Sequence, residues 1–379
     1  MKKLFTLFLL LFGFQSVFAQ LNFLPNFIRK MYLSKDTSKR SSFVLVPALS
    51  SSPETGIEFG GAALLSFYTD TVGDKTRVSN VFGYSSITTK GQTKLSLNAS
   101  YWLPDNSFHY TASIAYYNYP YDFYGIGNNT RLADVQHVLE KRYRATFNGE
   151  KKIGDYLYIG YVSGVLKYFY QYTLNQEFIL HNNPDVQDRH GGASIYIGPS
   201  FTYDSRNNNT YTTSGMIINA YYNLMHGVYF NNSYEGGFFN IEYSQFFLLA
   251  KPLVLGLDVQ EQSLTGGRSP FYLLPELGSD GMMRGYYEGR YRDRNLIAGQ
   301  AELRYRFAKR FALAGFAGTG EVSDSQFSVP QLKPNYGGGI RYFFDVQKGL
   351  TIRMDYGVGE KPAGEPRESG LYIALGEAF

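Results

Sequence analysis

The chain has 379 residues, 17% of them aromatic, with 34 tyrosines, 30 phenylalanines, one tryptophan, 40 glycines and no cysteine. Mean hydropathy is −0.25, and after residue 19 no apolar run reaches the roughly 18 residues of a spanning helix, which excludes a helical membrane protein. The formal charge of +4 becomes +2 without Lys2 and Lys3, and the basic residues are scattered, which excludes a nucleic-acid binder.

Lys2 and Lys3 precede an apolar run over residues 4–18, and Val17-Phe18-Ala19 before Gln20 reads as a cleavage site. Residues 1–19 are therefore expected to be an export signal. Gln20 stands where a lipid-anchored N-terminus would need cysteine. Residues 20–42 are expected to form a short periplasmic segment, too small for a folded domain.

An exported chain that is rich in aromatics but only mildly hydrophobic suits a transmembrane β-barrel, in which lipid-facing apolar residues alternate with polar lumen residues. Strand-like runs are expected at 44–49, 57–68, 77–88, 92–103, 108–119, 138–151, 156–172, 191–204, 213–226, 233–249, 253–264, 295–307, 311–320, 335–345, 350–359 and 369–379, about sixteen in all. The barrel domain is thus 43–379. Alternation is clearest in 350–358, where Leu350, Ile352, Met354, Tyr356 and Val358 share one face and Arg353 and Asp355 the other. In 295–307, Ile297, Ala301, Leu303, Tyr305 and Phe307 oppose Gln300, Glu302, Arg304 and Arg306. Charges confined to one face fit lipid outside and a polar interior. Short and long connections alternate, as they do between periplasmic turns and extracellular loops. Phe379, in parity with Leu371, Ile373 and Leu375, is expected on the lipid face as a handle for the assembly machinery.

No catalytic chemistry emerges. His109, His137, His181, His190 and His226 show no metal-ligand spacing, so no metal or cofactor is expected. His109 and Ser113 share a strand face four residues apart, too far for contact along a strand rising about 3.3 Å per residue. The segment 125–129 lacks the helix and lysine of a phosphate cradle. The chain is expected not to be an enzyme.

Several segments together resemble the Omp85 superfamily, the BamA/TamA or bacterial surface antigen barrels. They are Tyr203-Asp204-Ser205-Arg206-Asn207 with Thr213-Ser214-Gly215; Met283-Arg284-Gly285-Tyr286 in the polar stretch 281–295; Gly337-Gly338-Gly339-Ile340-Arg341-Tyr342; residues 350–356 with Arg353 and Asp355; and residues 370–379. The resemblance implies a 16-stranded antiparallel barrel whose sixth extracellular loop folds back into the lumen. Arg284 would be its docking cation, Gly285 would permit close backbone approach, and the inward carboxylates Glu302 and Asp355 would accept the guanidinium. Asp204, Arg206 and Gly215 belong to the shared pattern. Two departures stand out: Gly318 occupies a position where many members carry aspartate, and no periplasmic repeat (POTRA) domains are expected ahead of the barrel. The family mechanism implies a weak seam between the first and last strands, here marked by Val44 and Val46 on one side and Gly370 and Gly376 on the other, the glycines loosening its packing. The implied function is assistance to proteins, or lipids, entering or crossing the outer membrane of a Gram-negative cell. The implied partners are membrane lipid, nascent outer-membrane or surface proteins and other complex subunits. The alternatives are a non-translocating platform and a plugged pore.

Overall fold

The computed structural model describes residues 41–70, 76–172, 186–229, 234–346 and 349–379, so the expected export signal and nearly all of the segment 20–42 lie outside the described residues. Sixteen antiparallel strands close into one barrel. They are β1 (Ser42–Ser52), β2 (Gly56–Phe67), β3 (Ser79–Thr88), β4 (Thr93–Trp102), β5 (Phe108–Phe123), β6 (Gln136–Lys152), β7 (Leu157–Gln171), β8 (Gly191–Asp204), β9 (Gly215–Tyr229), β10 (Glu235–Ala250), β11 (Leu253–Gly266), β12 (Asn295–Tyr305), β13 (Phe311–Ser323), β14 (Lys333–Asp345), β15 (Leu350–Val358) and β16 (Ser369–Leu375). Every expected strand overlaps an observed one.

Residues paired across strands share a face, so the period of two propagates around the wall. Leu97 pairs with Ile114, Ile114 with Ala145 and Ala145 with Val165, a row that points outward. Ile114 is 64% exposed and Ile197 56%. An apolar belt of this extent suits hydrocarbon rather than water. The opposite parity holds the buried charges, among them Glu58, Glu150, Asp258, Glu302, Arg304, Arg341 and Asp355. At one end of the barrel the connections 103–107, 153–156, 251–252, 306–310 and 346–349 are short, and at the other lie the longer 124–135, 172–190, 267–294, 324–332 and 359–368, but 68–78 and 205–214 at the first end and 53–55 and 89–92 at the second depart from the expected alternation.

Two features break the regularity. The connection 267–294 contains a small ribbon, Glu276–Leu277 with Tyr291–Arg292, and is largely buried. The closure between β1 and β16 rests on one register pair, Ser51↔Ile373, whereas β1 and β2 share eleven and β15 and β16 seven.

An arginine on the lipid-facing wall near the bilayer centre costs about 2–4 kcal/mol in a transmembrane barrel. Ile197→Arg, outward and central on β8, is expected to lower the urea stability of the bilayer-reconstituted barrel by about that amount; an unchanged transition would contradict the lipid-facing assignment.

Candidate functional site

The tip of the 267–294 connection lies on the wall formed by β12–β16. Met283 takes φ +57 and Gly285 φ +116, and this left-handed pair turns the backbone so that Arg284 projects at the strands. Glycine is obligatory at 285: a Cβ there would lie 2.8 Å from the Val358 nitrogen and 2.9 Å from the Gly357 carbonyl carbon. Gly357 reciprocates, because a Cβ on it would meet the Arg284 carbonyl at 2.5 Å. Two bare backbones therefore touch at the docking point. Tyr372 of β16 receives a hydrogen bond from the Gly285 N–H at 2.9 Å and donates to the Tyr286 carbonyl at 3.2 Å.

Arg284 itself is completely buried. Its Nη2 donates to Glu302 Oε2 and its Nη1 to Asp355 Oδ2, each at 2.6 Å, and the Phe316 ring lies beneath the guanidinium at 3.6 Å. Both carboxylates are also fully buried and have further arginine partners. Arg341 pairs with Asp355 and lies 3.4 Å from Glu302; Arg304 Nε donates to Glu302 Oε1 at 2.8 Å; Arg353 reaches Asp355 at 3.3 Å and Asp280 Oδ2 at 2.6 Å. Glu377, beyond the end of β16, completes the cluster by accepting from Arg341 Nε at 2.8 Å and Thr351 Oγ1 at 2.9 Å. Four arginines thus meet four carboxylates, Asp280, Glu302, Asp355 and Glu377. A dry arginine is tolerable only in such company.

The Gly318 departure has a local explanation. A Cβ at 318 would come within 2.7 Å of Asn335 Oδ1, and the Asn335 amide donates to the Arg284 carbonyl at 3.1 Å. An asparagine on β14 fills the space that a side chain at 318 would take, and it holds the loop by its backbone.

The remainder of the connection is tied to strands on several sides of the barrel. Phe271, Tyr272, Leu273 and Leu274 pack among Phe123, Val138, Tyr168 and Tyr170 of β5–β7. The Glu288 N–H donates to Glu54 in the β1–β2 turn at 2.6 Å, and Tyr287 Oη accepts from the Asp122 N–H at 3.1 Å. Arg290 pairs with Glu365 and, at 3.1 Å, with Glu368 of the 359–368 connection. Burial raises both carboxyls, but at Glu365 the Leu132 N–H and Arg290 win and hold it below its ordinary value. At Glu368 burial prevails over Arg290, helped by Glu365 and Glu360, and its pKa rises.

The other sequence-derived residues fall elsewhere. Asp204 and Arg206 form a two-point ion pair at 3.0 and 3.1 Å, and Gly215, φ +93, lets the Ser205 backbone approach; together they shape the β8–β9 turn. Phe379 corrects the lipid-face expectation. Strand β16 stops at Leu375, Gly376 takes φ +83, and the chain turns inward. The Phe379 ring sits 5.9 Å from Phe246 and 5.0 Å from the Arg304 guanidinium, and its main-chain oxygen accepts from Arg304 Nη2 at 2.9 Å. Gly370 does not loosen the wall, because a Cβ there would meet Pro53 at 2.6 Å; its smallness allows the β1–β2 turn to approach β16. Val44 and Val46 pair with Leu64 and Ala62 through their backbones, and their side chains lie outside the described residues.

Sequence reasoning missed Arg341, Asn335, Phe316, Tyr372 and Glu377 as site residues. It also missed a contact on the far wall. Ser100 Oγ lies 2.9 Å from His109 Nε2, and His109 Nδ1 lies 3.7 Å from Glu150. Trp102 stacks on that imidazole at 3.7 Å, Glu150 accepts from Thr202 Oγ1 at 2.9 Å, and the backbone around Ser100 is committed to the ladders with β3 and β5. The trio forms a polar contact across β4, β5 and β6.

This closed barrel has counterparts among solved structures. BamA from Haemophilus ducreyi lacking POTRA domains 1-3 superposes with a TM-score of 0.59 at 12% identity over 89% of this chain and 70% of that one. The likeness is one of barrel fold. CdiB from Acinetobacter baumannii gives 0.57 at 14% identity over 89% of this chain, and CdiB from Escherichia coli 0.54 at 9% over 93%. This chain spans 60% and 74% of the two CdiB chains. Neither a family model nor a curated protein matches the sequence.

Removing one partner from a buried ion-pair network costs about 3–5 kcal/mol. Arg284→Ala is therefore expected to release the connection and expose Arg290 and Arg292 to trypsin in the folded barrel, and to raise or destabilise single-channel conductance. Gly285→Val should do the same with every charge intact. Resistance to trypsin in both variants would show that the latch does not hold the connection.

Proposed function

We propose that this chain is an Omp85-type outer-membrane barrel that assists proteins, or lipids, in entering or crossing that membrane by opening between β1 and β16. The observation that carries this reading is the single Ser51↔Ile373 pair at that seam. Extended along the same antiparallel register, the last residue of β16, Leu375, falls opposite Leu49. Residues 42–48 of β1 therefore run past the end of their partner strand.

The cause lies in the tail. Gly376 turns the chain, its N–H donating to the Thr351 carbonyl at 2.8 Å, and Glu377 and Phe379 enter the arginine cluster instead of lengthening β16. Each interstrand hydrogen bond forgone lowers the cost of separating the pair, and the exposed edge of β1 is a template for another strand. A nascent barrel strand is the partner of matching chemistry, and the loop-filled lumen argues against a simple diffusion pore. In this reading the arginine cluster, not Gly370, makes the seam weak.

Ser51 and Ile373 are directly opposed, so Ser51→Cys with Ile373→Cys places two thiols within disulfide reach. The oxidised pair is expected to abolish insertion of a client barrel into the membrane, and reduction to restore it. Full activity of the oxidised form would leave the chain as a platform or plugged pore.

A further inference from the structure

One connection at the turn end reaches far from its own strands. Residues 205–214 join β8 to β9, yet Tyr211 packs with Ala312 of β13, Phe343 of β14 and Val346 beyond it. Its ring meets the Phe343 ring edge-on at 5.0 Å, and a Cβ on Gly349 would lie 3.0 Å from Tyr211 Cβ. Between β9 and β14 stand β10, β11, β12 and β13. Five steps of 4.7–4.9 Å make roughly 24 Å along the wall. Phe343 has the parity of Arg341, and both it and Ala312 are completely buried, so Tyr211 sits on the inward face of that wall.

The connection holds its shape without these contacts. Asn207 Oδ1 accepts from the Thr213 and Ser214 N–H groups at 3.1 and 3.2 Å, and the Asn207 N–H donates to the Ser214 carbonyl at 3.1 Å. Asn208 Oδ1 accepts from the Thr210 and Tyr211 N–H groups at 2.8 and 3.0 Å. Thr212 Oγ1 donates to the Asn208 carbonyl at 2.6 Å. Asparagines commonly tie a turn to its own backbone in this way. Asn207, Asn208 and Asn209 are exposed, whereas Tyr211 and Thr212 are buried. A preformed strap thus presents one aromatic side chain to a remote wall.

The perch of Tyr211 adjoins the place where the tail is held. Ala312 is opposite Arg341 in register and Phe343 is opposite Thr351. Arg341 and Thr351 both donate to Glu377. Tyr211 Oη lies within electrostatic reach of Glu377, Arg304 and Arg341, but it is buried without a hydrogen bond, so the ring rather than the hydroxyl makes the contact. Buried ion pairs weaken when water reaches them, because the local dielectric rises. A ring seated on Phe343 and Ala312 keeps turn-end water from Arg341 and Glu377.

We infer that residues 205–214 form a strap that seals the arginine cluster at the turn end, and that lifting the strap releases the tail and, with it, the seat of Arg284. An event at the turn end would in this way act on the 267–294 connection without touching it. The inference rests on the arginine cluster and stands whether or not β1 and β16 open.

The test is hydrogen exchange read by mass spectrometry on the purified, detergent-folded barrel, with heat-modifiable migration confirming that each variant is folded. Tyr211→Ala should speed exchange in 371–379 and 281–290 about tenfold, through loss of the aromatic contact and its burial. Tyr211→Phe should leave both segments as they are. Asn208→Ala, an exposed change that opens no cavity, should loosen the strap and speed the same two segments; it decides the matter if Tyr211→Ala does not fold. Asn209→Ala, beside it and equally exposed, should change nothing. Acceleration confined to 205–214 in the Tyr211→Ala and Asn208→Ala variants would overturn the seal.

Discussion

Everything inside this barrel is arranged around one electrostatic demand: Arg284, Arg304 and Arg341 are shut off from water with Glu302 and Asp355 among them. None of these groups is stable there alone, and each carboxylate contacts more than one guanidinium. The wall by itself carries an excess of arginine, with Arg304, Arg341 and Arg353 against Glu302 and Asp355. The loop enters neutral, bringing Arg284 together with Asp280, and the tail corrects the balance by bringing Glu377. Such a network is weak evidence of high stability, because a buried pair gains little over well-packed apolar groups. Its contribution is geometric: it gives the loop one seat and the tail one direction.

That direction has consequences at the barrel's closure. A chain continuing past Leu375 as a strand would cover more of the β1 edge. Instead the positive φ at Gly376 and the pull of Arg304 and Arg341 take Glu377 and Phe379 inside. The sparse β1–β16 pairing and the seat of the loop are therefore two ends of one interaction. A perturbation that frees the tail would also leave Arg341 and Arg304 short of a carboxylate, which couples the state of the seam to the state of the loop.

Much of the architecture was legible because a barrel strand writes its orientation in alternate residues. The charges of 295–307 and 350–358 fall on a single parity, which placed Glu302 and Asp355 inside, and the Arg-Gly-Tyr stretch pointed to the cation they meet. Parity says which side a residue faces, but not which of several inward arginines reaches a given carboxylate. Arg341 was therefore visible as part of a motif and not as a partner of Asp355. The count failed outright at Phe379. Its parity with Leu371, Ile373 and Leu375 holds only if the strand continues, and Gly376 ends it. The Ser100–His109 contact was invisible for a different reason. It joins diagonal neighbours on adjacent strands, and linear spacing along one strand offered only Ser113.

The strands are also unequal in length. β5, β6 and β10 have 16, 17 and 16 residues, whereas β15 has nine and β16 seven. Seven residues rise roughly 23 Å along the strand, or about 16 Å of depth at a tilt near 45°. Hydrocarbon roughly 30 Å thick cannot be matched by such a span, so a bilayer beside β16 must thin, while the wall at β5–β7 meets it at full height. The hydrophobic mismatch is thus concentrated at the closure of the barrel. Lipid packing is disturbed at the same place where backbone pairing is sparse, and a polar segment arriving there faces a shorter apolar path than anywhere else on the circumference.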